Sequence, residues 1–376
     1  MSDKPQMGLD LGLPEVADNL KGPKKIIQTD SRGVSQDKLG TTTERMSSPP
    51  YAMAELKQVS EAGADLSVAD MAKLLDADPN YRVIKRLVPA LHFRPVAQTQ
   101  QANVQRVAVL DTETTGLSAA TDVIIELAVV VMDIDTSTGL PIGDVLVFDG
   151  FQDPGRAIPK EVQLLTGITN EMVAGQALDE AAISKIMEGV QWVVAHNAAF
   201  DRPFVEQRLA YFADLAWACS FADIPWKKHG VGSAKLESLA AHYGWFYDAH
   251  RADMDCHALA AVMGQQVGET GKTGWKLLLE AVEAPQYKLQ ATGAPFDAKD
   301  LLKARGYRWD SVQRVWHTRL ASESALDEEC AWLATHVYAN PRAQVGVAQV
   351  DALTRYSSRT PPAQVRPITA HAKSKL

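Results

Sequence analysis

Three apolar runs open the central part of the chain, and each has the length and composition of a buried strand. They cover residues 104–110, 122–133 and 145–148. The links between them are short and rich in Gly, Ser, Thr and Asp, which suits antiparallel neighbours joined by turns. The pattern therefore predicts a sheet that begins with three hairpin-linked strands.

Helical and apolar segments alternate after the third run. Pro159 fits the first turn of a helix that Gly167 ends, and Thr169 fits the cap of a second, short turn. A further strand is predicted at residues 192–196, and helices are predicted at 178–187, 201–211, 235–243 and 250–267. Antiparallel strands followed by strand–helix alternation indicate an α/β domain with a mixed sheet at residues 103–268.

The remaining segments differ in composition. Residues 1–50 have no sustained apolar period and are predicted to be a disordered tail. We predict a small helical lead-in at 51–102, a helix and connector at 269–286, a small α+β domain at 287–339 and a basic disordered tail at 340–376. In the 287–339 unit, Trp309 and Trp316 stand among basic residues, a combination that proteins use to bind single strands. A domain this small also needs aromatic side chains for its core, and we expect both tryptophans to serve that core.

The overall composition is that of an ordinary soluble globular protein, with 46% apolar and 22% charged residues. No apolar run is long enough for a membrane span and no signal peptide is visible, so we expect a cytoplasmic protein without membrane contact. Cys219, Cys256 and Cys330 form no CxxC pair, which fits a reducing compartment and disfavours structural zinc. A net charge of -8 argues against a protein that coats duplex DNA. It does not exclude a nucleic-acid substrate, because a nuclease site is itself a cluster of carboxylates whose metal ions reverse the local charge.

Two carboxylates, Asp111 and Glu113, follow the first apolar run one residue apart. Side chains alternate along a strand, so both carboxylates face the same side of the sheet. Two acids on one face repel each other unless a cation lies between them, and Mg²⁺ or Mn²⁺ prefers such oxygen ligands. A solvated strand end followed by a Thr/Gly turn is the alternative for these two residues taken alone.

Two later acidic segments are ambiguous when each is taken alone. Asp201 follows a predicted strand and opens a helix, which suits a ligand at the end of a central strand or an ordinary N-cap. His250 precedes the last helix of the domain, and Asp255 lies in its first turns. A lone histidine is more often structural than catalytic. A catalytic site is therefore indicated only by the order and spacing of all three acidic segments together.

In that order and spacing the chain resembles the DEDD-type 3′-to-5′ exonucleases of the histidine subclass, a family that includes the proofreading (epsilon) subunit of bacterial DNA polymerase III. The matching segments are Asp111-Thr112-Glu113-Thr114-Thr115-Gly116-Leu117, Asp122-Val123-Ile124-Ile125-Glu126-Leu127-Ala128, Thr166-Gly167-Ile168-Thr169, Asn197-Ala198-Ala199-Phe200-Asp201, His250-Arg251-Ala252 and the spacing from His250 to Asp255. The resemblance covers about residues 104–266. It implies a ribonuclease-H-like domain, in which helices flank a mixed five-stranded sheet.

The resemblance also implies roles for individual residues. Two divalent metal ions, Mg²⁺ or Mn²⁺, would be held by Asp111, Glu113, Asp201 and Asp255, with His250 as the general base. The terminal nucleotide would contact Thr114, Gly116, Leu117, Asn197 and Phe200, for which turn formation and core packing are the alternatives. The spacing from His250 selects Asp255 over Asp253, and Glu126 is expected at a structural hydrogen bond.

The function implied is metal-dependent 3′-to-5′ hydrolysis of phosphodiester bonds at DNA 3′ ends, releasing nucleoside monophosphates in repair or proofreading. No polymerase domain fits in 376 residues, so a proofreading role requires a DNA polymerase or another replication or repair protein as partner. An RNA 3′-end-trimming exonuclease is the alternative within the same chemistry. A non-catalytic adaptor for a polymerase or nucleic acid is the alternative from another class.

Overall fold

The computed structural model of the protein describes residues 66–93, 103–340, 342–359 and 361–368. The disordered tail predicted at residues 1–50 lies outside these ranges, as do residues 51–65 and 94–102 of the predicted lead-in. Within the described ranges, no helix combines the length and the apolar character needed to cross a bilayer.

The larger domain is built on a mixed six-stranded sheet in the order β2-β5-β4-β3-β6-β7. Strands β3, β4 and β5 are antiparallel neighbours, and β6 and β7 run parallel to β3. The strands of this domain are β1 (Lys85–Arg86), β2 (His92–Phe93), β3 (Val104–Thr114), β4 (Ile124–Asp135), β5 (Leu140–Phe151), β6 (Trp192–Ala195), β7 (Ala216–Cys219) and β8 (Trp245–Phe246).

The ribonuclease-H-like fold predicted from the sequence is confirmed, with one strand more than expected. The additional strand is β2, which pairs antiparallel with β5 at the sheet edge. A strand of two residues carries no periodic signal, so the sequence could not predict it. The strand β1 pairs in parallel with β8, outside this sheet. The lead-in thus contributes extended segments as well as the helix Val68–Ala77.

Alternating side chains of β3 are buried on both faces of the sheet, which explains why its sequence is continuously apolar. Val107 and Val109 belong to one hydrophobic cluster, and Ala108 and Leu110 belong to the cluster on the opposite face. The neighbouring strand β4 is buried along nearly its whole length. The carboxylates that follow Leu110 therefore lie at the end of a rigid, fully packed strand.

Helices cover both faces of this sheet. The α-helices are Val68–Ala77, Lys160–Thr166, Asn170–Val173, Glu180–Ile186, Ala198–Arg208, Leu236–His242, Ala252–Met263 and Gly274–Glu283, and the 3-10 helices are Ala210–Asp214, Trp226–His229 and Gly268–Thr270. Gly167 ends the helix Lys160–Thr166 in the left-handed conformation, as predicted. The helix Ala252–Met263 packs against β3 and β4, and this packing places Asp255 near the end of β3.

The C-terminal unit is a five-stranded antiparallel sheet in the order β10-β11-β9-β12-β13 with helices packed on it. Its elements are β9 (Gln286–Ala291), the 3-10 helix Phe296–Ala298, the helix Lys299–Ala304, β10 (Arg308–Asp310), β11 (Val315–Leu320), the helix Glu323–His336, β12 (Gln344–Val350) and β13 (Gln364–Pro367). The prediction of a disordered tail at residues 340–376 is wrong for β12 and β13. Strand β12 pairs with β9 and buries Val345 and Ala348, a contact with a distant segment that composition does not reveal.

The loop after β12 also packs into the larger domain. Arg202 lies fully buried on the helix Ala198–Arg208 and donates hydrogen bonds to the carbonyl oxygens of Leu353 and Arg355 at 2.6 and 2.7 Å. Arg355 is also fully buried and donates to the carbonyl oxygens of Ala281 and Ala284, both at 2.8 Å. The guanidinium of Arg355 lies 3.6 Å from the Asp223 carboxylate. These contacts hold the C-terminal segment next to Asp201, the residue that precedes Arg202.

Replacing Arg355 by methionine should lower the free energy of unfolding by about 2 kcal/mol, because two carbonyl groups lose their donor in a buried site. Urea unfolding followed by circular dichroism measures this loss. Arg366→Met is the matched control, since the ion pair between Arg366 and Asp327 is half exposed and should contribute less than about 1 kcal/mol. Equal losses in the two variants would contradict the structural role of the loop.

Candidate active site

Three carboxylates converge at the end of β3. Asp111, Glu113 and Asp255 each bring one carboxylate oxygen within 4.8 Å of the other two. Asp111 lies opposite Ala128 of β4, and Glu113 lies opposite Glu126 just before a register shift. The structure thus brings together two acids of one strand and one from the helix Ala252–Met263.

The fourth predicted acid, Asp201, lies beside this cluster on the helix Ala198–Arg208. Its Oδ1 accepts hydrogen bonds from the backbone N–H and the hydroxyl of Thr112, at 3.2 and 2.8 Å. Thr112 stands between Asp111 and Glu113, so these bonds tie the helix to the strand end. Asp201 is close enough to raise the pKa of both Asp111 and Glu113.

Asp255 is held by two donors from the loop that precedes its helix. The Tyr247 hydroxyl donates to Oδ1 and the backbone N–H of His250 donates to Oδ2, both at 2.8 Å. His250 adopts a left-handed backbone conformation with φ 65°, and its side chain is exposed at the rim of the cluster. Burial raises the pKa of Asp255, and the hydrogen bonds from Tyr247 and from the His250 N–H, together with the charge of the His250 ring, oppose this rise. The ring is therefore an electrostatic neighbour of the acids.

Glu126 has the structural role expected for it. Its buried carboxylate accepts hydrogen bonds from the Arg251 guanidinium at 2.8 Å and from the backbone N–H of Ala252 at 3.0 Å. It thereby binds the first turn of the helix Ala252–Met263 and fixes Asp255 relative to β3. Asp253 lies outside the three-carboxylate cluster, and its charge acts on Arg251 and Asp149 instead.

The electrostatics of the cluster show an excess of negative charge. Burial raises the pKa of Asp111 well above its ordinary range, and the charges of Asp201 and Asp255 raise it further. Burial, followed by the charges of Asp255 and Glu126, raises the pKa of Glu113 to about 8. Burial raises the pKa of Asp201 to about 7, although the Thr112 hydrogen bonds oppose this shift. Without a cation, the four carboxylates are not all ionised near neutral pH.

These residues fit a site for a hard divalent cation. Mg²⁺ and Mn²⁺ prefer carboxylate oxygens, and the cluster offers one oxygen from each of three side chains in close proximity. A bound cation would remove the repulsion that raises the pKa of Asp111 and Glu113. Asp201 has a second carboxylate oxygen beside the one that Thr112 binds, so it can serve as a further ligand.

The residues expected at the terminal nucleotide surround the same strand end. Thr114 is buried and donates its hydroxyl hydrogen bond to the carbonyl oxygen of Gly116. A Cβ on Gly116 would lie 2.6 Å from an oxygen of Asp122, so a larger residue here would displace the Asp122 carboxylate. Leu117 is 64% exposed, and its apolar side chain has no core to pack against. The turn thus has a buried structural half and an exposed apolar tip.

Asn197 and Phe200 border Asp201 on the other side. Asn197 precedes the helix Ala198–Arg208 in a left-handed conformation with φ 77°, and it is exposed. Phe200 is half-buried, and its ring lies 5.1 Å from that of Phe204 between the ring centroids. The Phe200 ring therefore packs on the core on one side and leaves its other side accessible.

Sequence reasoning missed three residues that position the acids: Tyr247, Thr112 and Arg251. Thr112 lies inside the first motif and Arg251 directly follows His250, so their positions in the motifs were the available signal. Tyr247 had no such signal, since one tyrosine in a loop fits many roles. Burial and the neighbouring Asp255 charge raise the pKa of Tyr247, which keeps its hydroxyl a hydrogen-bond donor.

The protein without metal should lose thermal stability as the pH rises from about 5 to about 8. In the folded state, Glu113 keeps its proton up to a pKa of about 8 and Asp201 up to about 7. The unfolded chain releases these protons near pH ~4, so the folded state binds more protons in this window and is destabilised as the pH rises. Mg²⁺ competes with protons for the carboxylates and should raise Tm more at pH ~8 than at pH ~5.

Scanning fluorimetry with EDTA or MgCl₂ at each pH measures both effects. Glu113→Gln is the control, because its amide is neutral throughout and the pH dependence of the metal-free protein should become flatter. A Mg²⁺-dependent shift of Tm that is the same at both pH values would contradict the expected competition.

The central part of the chain is similar to known exonucleases and DNA polymerases. Residues 108–263 match the family model described as Exonuclease, RNase_T. The PolC-type DNA polymerase III of Clostridium perfringens is 33% identical over 162 residues, which is 41% of this chain and 11% of that protein. The PolC-type enzyme of Listeria welshimeri is 41% identical over 188 residues, which is 46% of this chain and 11% of that protein.

A third relative, the 3′-5′ exonuclease DinG of Bacillus subtilis, is 30% identical over 168 residues, which is 43% of this chain and 17% of that protein. The chain thus spans less than a fifth of the length of each of these relatives.

Two solved structures are also similar. Exonuclease X in complex with 5′ overhanging duplex DNA matches 46% of this chain and 97% of its own, with a TM-score of 0.35 and 26% identity. Exonuclease I matches 70% of this chain and 64% of its own, with a TM-score of 0.39 and 16% identity. The segment matched by the family model begins in β3 and ends with the helix Ala252–Met263, so it contains the whole carboxylate cluster. The fold of this domain is ribonuclease-H-like, and its residues 108–263 match the exonuclease family model.

Proposed function

We propose that the protein is a metal-dependent 3′-to-5′ exonuclease that hydrolyses phosphodiester bonds at DNA 3′ ends and releases nucleoside monophosphates, in repair or proofreading. The observation that carries this proposal is the convergence of Asp111, Glu113 and Asp255, with Asp201 beside them, inside an exonuclease-family domain. The acids come from three separate segments of the chain, and their mutual repulsion is a destabilisation that a structural role would not require.

The four acids would hold two divalent metal ions of the Mg²⁺ or Mn²⁺ type, and His250 would act as the general base. Bound there, such ions activate a water molecule and offset the negative charge that builds on the phosphate. The exposed His250 side chain lies at the rim, where it can accept a proton from water beside the scissile phosphate. Tyr247 and Glu126 are positioning residues, because they hold Asp255 and its helix.

The turn after β3 would receive the terminal nucleotide. Its backbone N–H groups at Thr114 and Gly116 could bind the 3′-hydroxyl, and the exposed side chain of Leu117 could pack against the last base. Asn197 and the accessible side of Phe200 would border the nucleotide on the opposite side. These contacts would select a strand end, which is the requirement for an exonuclease.

The direction of hydrolysis and the class of substrate are supported by the relatives. One is named a 3′-5′ exonuclease, and others are DNA polymerase III proteins of the PolC type. A polymerase or another replication or repair protein is the proposed partner. The aligned segment is a small fraction of each relative.

Single-stranded DNA labelled at its 5′ end tests the activity. With Mg²⁺ or Mn²⁺, the labelled strand should shorten by single nucleotides from its 3′ end, and a terminal phosphorothioate linkage should slow the first step. Release of the 5′ label as a mononucleotide would overturn the direction, and the absence of metal-dependent cleavage would overturn the activity.

Parallel substrates with paired, frayed and RNA 3′ ends define the substrate class. Preferred cleavage of RNA would assign the protein to RNA 3′-end trimming. Absence of cleavage combined with absence of metal binding in calorimetry would favour the non-catalytic adaptor.

A further inference from the structure

The C-terminal unit has an open cleft of 470 Å³ that the proposed exonuclease mechanism does not use. We call it the aromatic cleft; its characteristic side chains are Phe296, Lys299, Trp309, Arg314 and Trp316. It lies between the 3-10 helix Phe296–Ala298 and the hairpin of β10 and β11. We propose that the aromatic cleft binds single-stranded nucleic acid, with bases stacked on its rings and phosphates beside its two cations.

Two aromatic rings of the cleft are exposed although the unit has a complete core without them. Phe296 is 78% exposed and Trp309 is 50% exposed, whereas Leu289, Leu302 and Leu333 are fully buried in the core. Trp316 packs against that core and supports Trp309 from across the hairpin, with ring centroids 5.5 Å apart. The expectation that both tryptophans serve the core is therefore correct for Trp316 and wrong for Trp309. An aromatic ring held rigid and half exposed offers a flat face for a base.

The charges of the cleft fit a polyanion. Of the described residues that line it, the two charged ones, Lys299 and Arg314, are both cationic. The ammonium of Lys299 lies 4.5 Å from the centroid of the Phe296 ring, and within the described chain neither cation forms an ion pair. Asp310, the nearest acid along the hairpin, is engaged by the backbone N–H groups of Val312 and Gln313. Arg314 therefore remains available to a phosphate.

The combination favours single strands over duplexes and over apolar partners. Every base has a π-face that can stack on an aromatic ring, but a duplex keeps these faces covered by neighbouring base pairs. A purely apolar partner would leave Lys299 and Arg314 desolvated without a counter-charge. A nucleic-acid strand supplies flat rings and regularly spaced anions together, which matches the alternation of rings and cations in the cleft.

Binding of a fluorescein-labelled oligothymidylate to the full-length protein in EDTA tests this proposal. EDTA prevents hydrolysis, and the metal-free carboxylate cluster repels phosphate, so the anisotropy reports other sites. We expect Trp309→Ala and Phe296→Ala each to weaken binding by about ten-fold. Arg314 has a left-handed backbone with φ 53°, which asparagine adopts more readily than alanine. Arg314→Asn should reduce the slope of log K against log salt by about one. Phe296 is so exposed that its removal leaves the fold intact.

Phe246→Ala is the matched control, because Phe246 is 40% exposed and the Arg86 guanidinium lies 5.0 Å from its ring centroid. This variant should bind as tightly as the unchanged protein. Unlabelled duplex of the same length should compete poorly. A competing oligouridylate separates the two sources of single strands, and stronger competition by it would assign the cleft to RNA.

Unchanged affinity in Trp309→Ala and Phe296→Ala, or equal competition by duplex, would overturn the proposal. The result of this binding test does not depend on whether the protein is a nuclease. The cleft proposal rests on the proposed nuclease function only for the choice of DNA as the first probe. Hydrolysis of a small chromogenic thymidine phosphodiester with Mg²⁺ should be the same in the cleft variants as in the unchanged protein. Loss of that hydrolysis in the unchanged protein, with oligothymidylate binding intact, would defeat the nuclease proposal alone.

Discussion

Asp111→Asn should lower the rate of DNA hydrolysis by about a thousand-fold or more, and should also make the metal-free protein more stable. Asp111 is the carboxylate on which burial and the charges of Asp201 and Asp255 act together. Asparagine has nearly the same shape but carries no charge, so the repulsion between the acids falls. The same change would remove a charged ligand of the proposed metal ions. The two effects have opposite signs because the cluster is arranged for a cation and not for the folded apo protein.

The rate is measured with 5′-labelled single-stranded DNA and Mg²⁺, and the stability is measured by urea unfolding in EDTA. Asp253→Asn is the control, since it removes one carboxylate from the same helix as Asp255 but outside the cluster. Its rate should stay within a few-fold of the unchanged protein. Activity retained in Asp111→Asn would show that the carboxylates do not hold a catalytic metal.

The strand end could be predicted because its determinants are local. Alternation along β3 places Asp111 and Glu113 on one face whatever the rest of the chain does. The apolar run before them is buried on both sides, so the strand itself is recognisable. The left-handed Gly167 at a helix end is likewise a local property. Such features need no knowledge of which distant segments pack together.

The contacts that hold Asp255 in place could not be predicted, because they join distant segments of the chain. Glu126 and Ala252 are separated by 126 residues along the chain, yet their hydrogen bond fixes the helix that carries Asp255. Tyr247 reaches Asp255 only because the loop between them turns back on itself. No periodicity in the sequence encodes either contact.

The order of the C-terminal segment could not be predicted from the sequence either. Its composition is basic and rich in proline, which predicted disorder over residues 340–376. Strand β12 nevertheless pairs with β9, and Arg355 is buried against the larger domain. Backbone carbonyl groups that accept from a buried arginine leave no trace in composition. Order in this segment is therefore a tertiary effect, and the segment stabilises the helix Ala198–Arg208, which carries Asp201.

The backbone and the side chain of His250 have different roles, and a suitable substitution can test them separately. Its backbone N–H holds the Asp255 carboxylate, and its side chain is exposed at the rim of the cluster. The left-handed conformation disfavours alanine, whereas asparagine adopts it more readily than most residues. His250→Asn should therefore preserve the backbone contact to Asp255 and remove only the imidazole.

We expect His250→Asn to lower kcat by about a hundred-fold to ten-thousand-fold, because a general base contributes a factor of that size. The affinity for Mg²⁺ in calorimetry should remain unchanged, since the four acids and the backbone contact persist. His242→Asn, at an exposed helix end, should leave kcat unchanged. If His250→Asn instead weakened Mg²⁺ binding in proportion to kcat, His250 would position Asp255 and another group would take the proton.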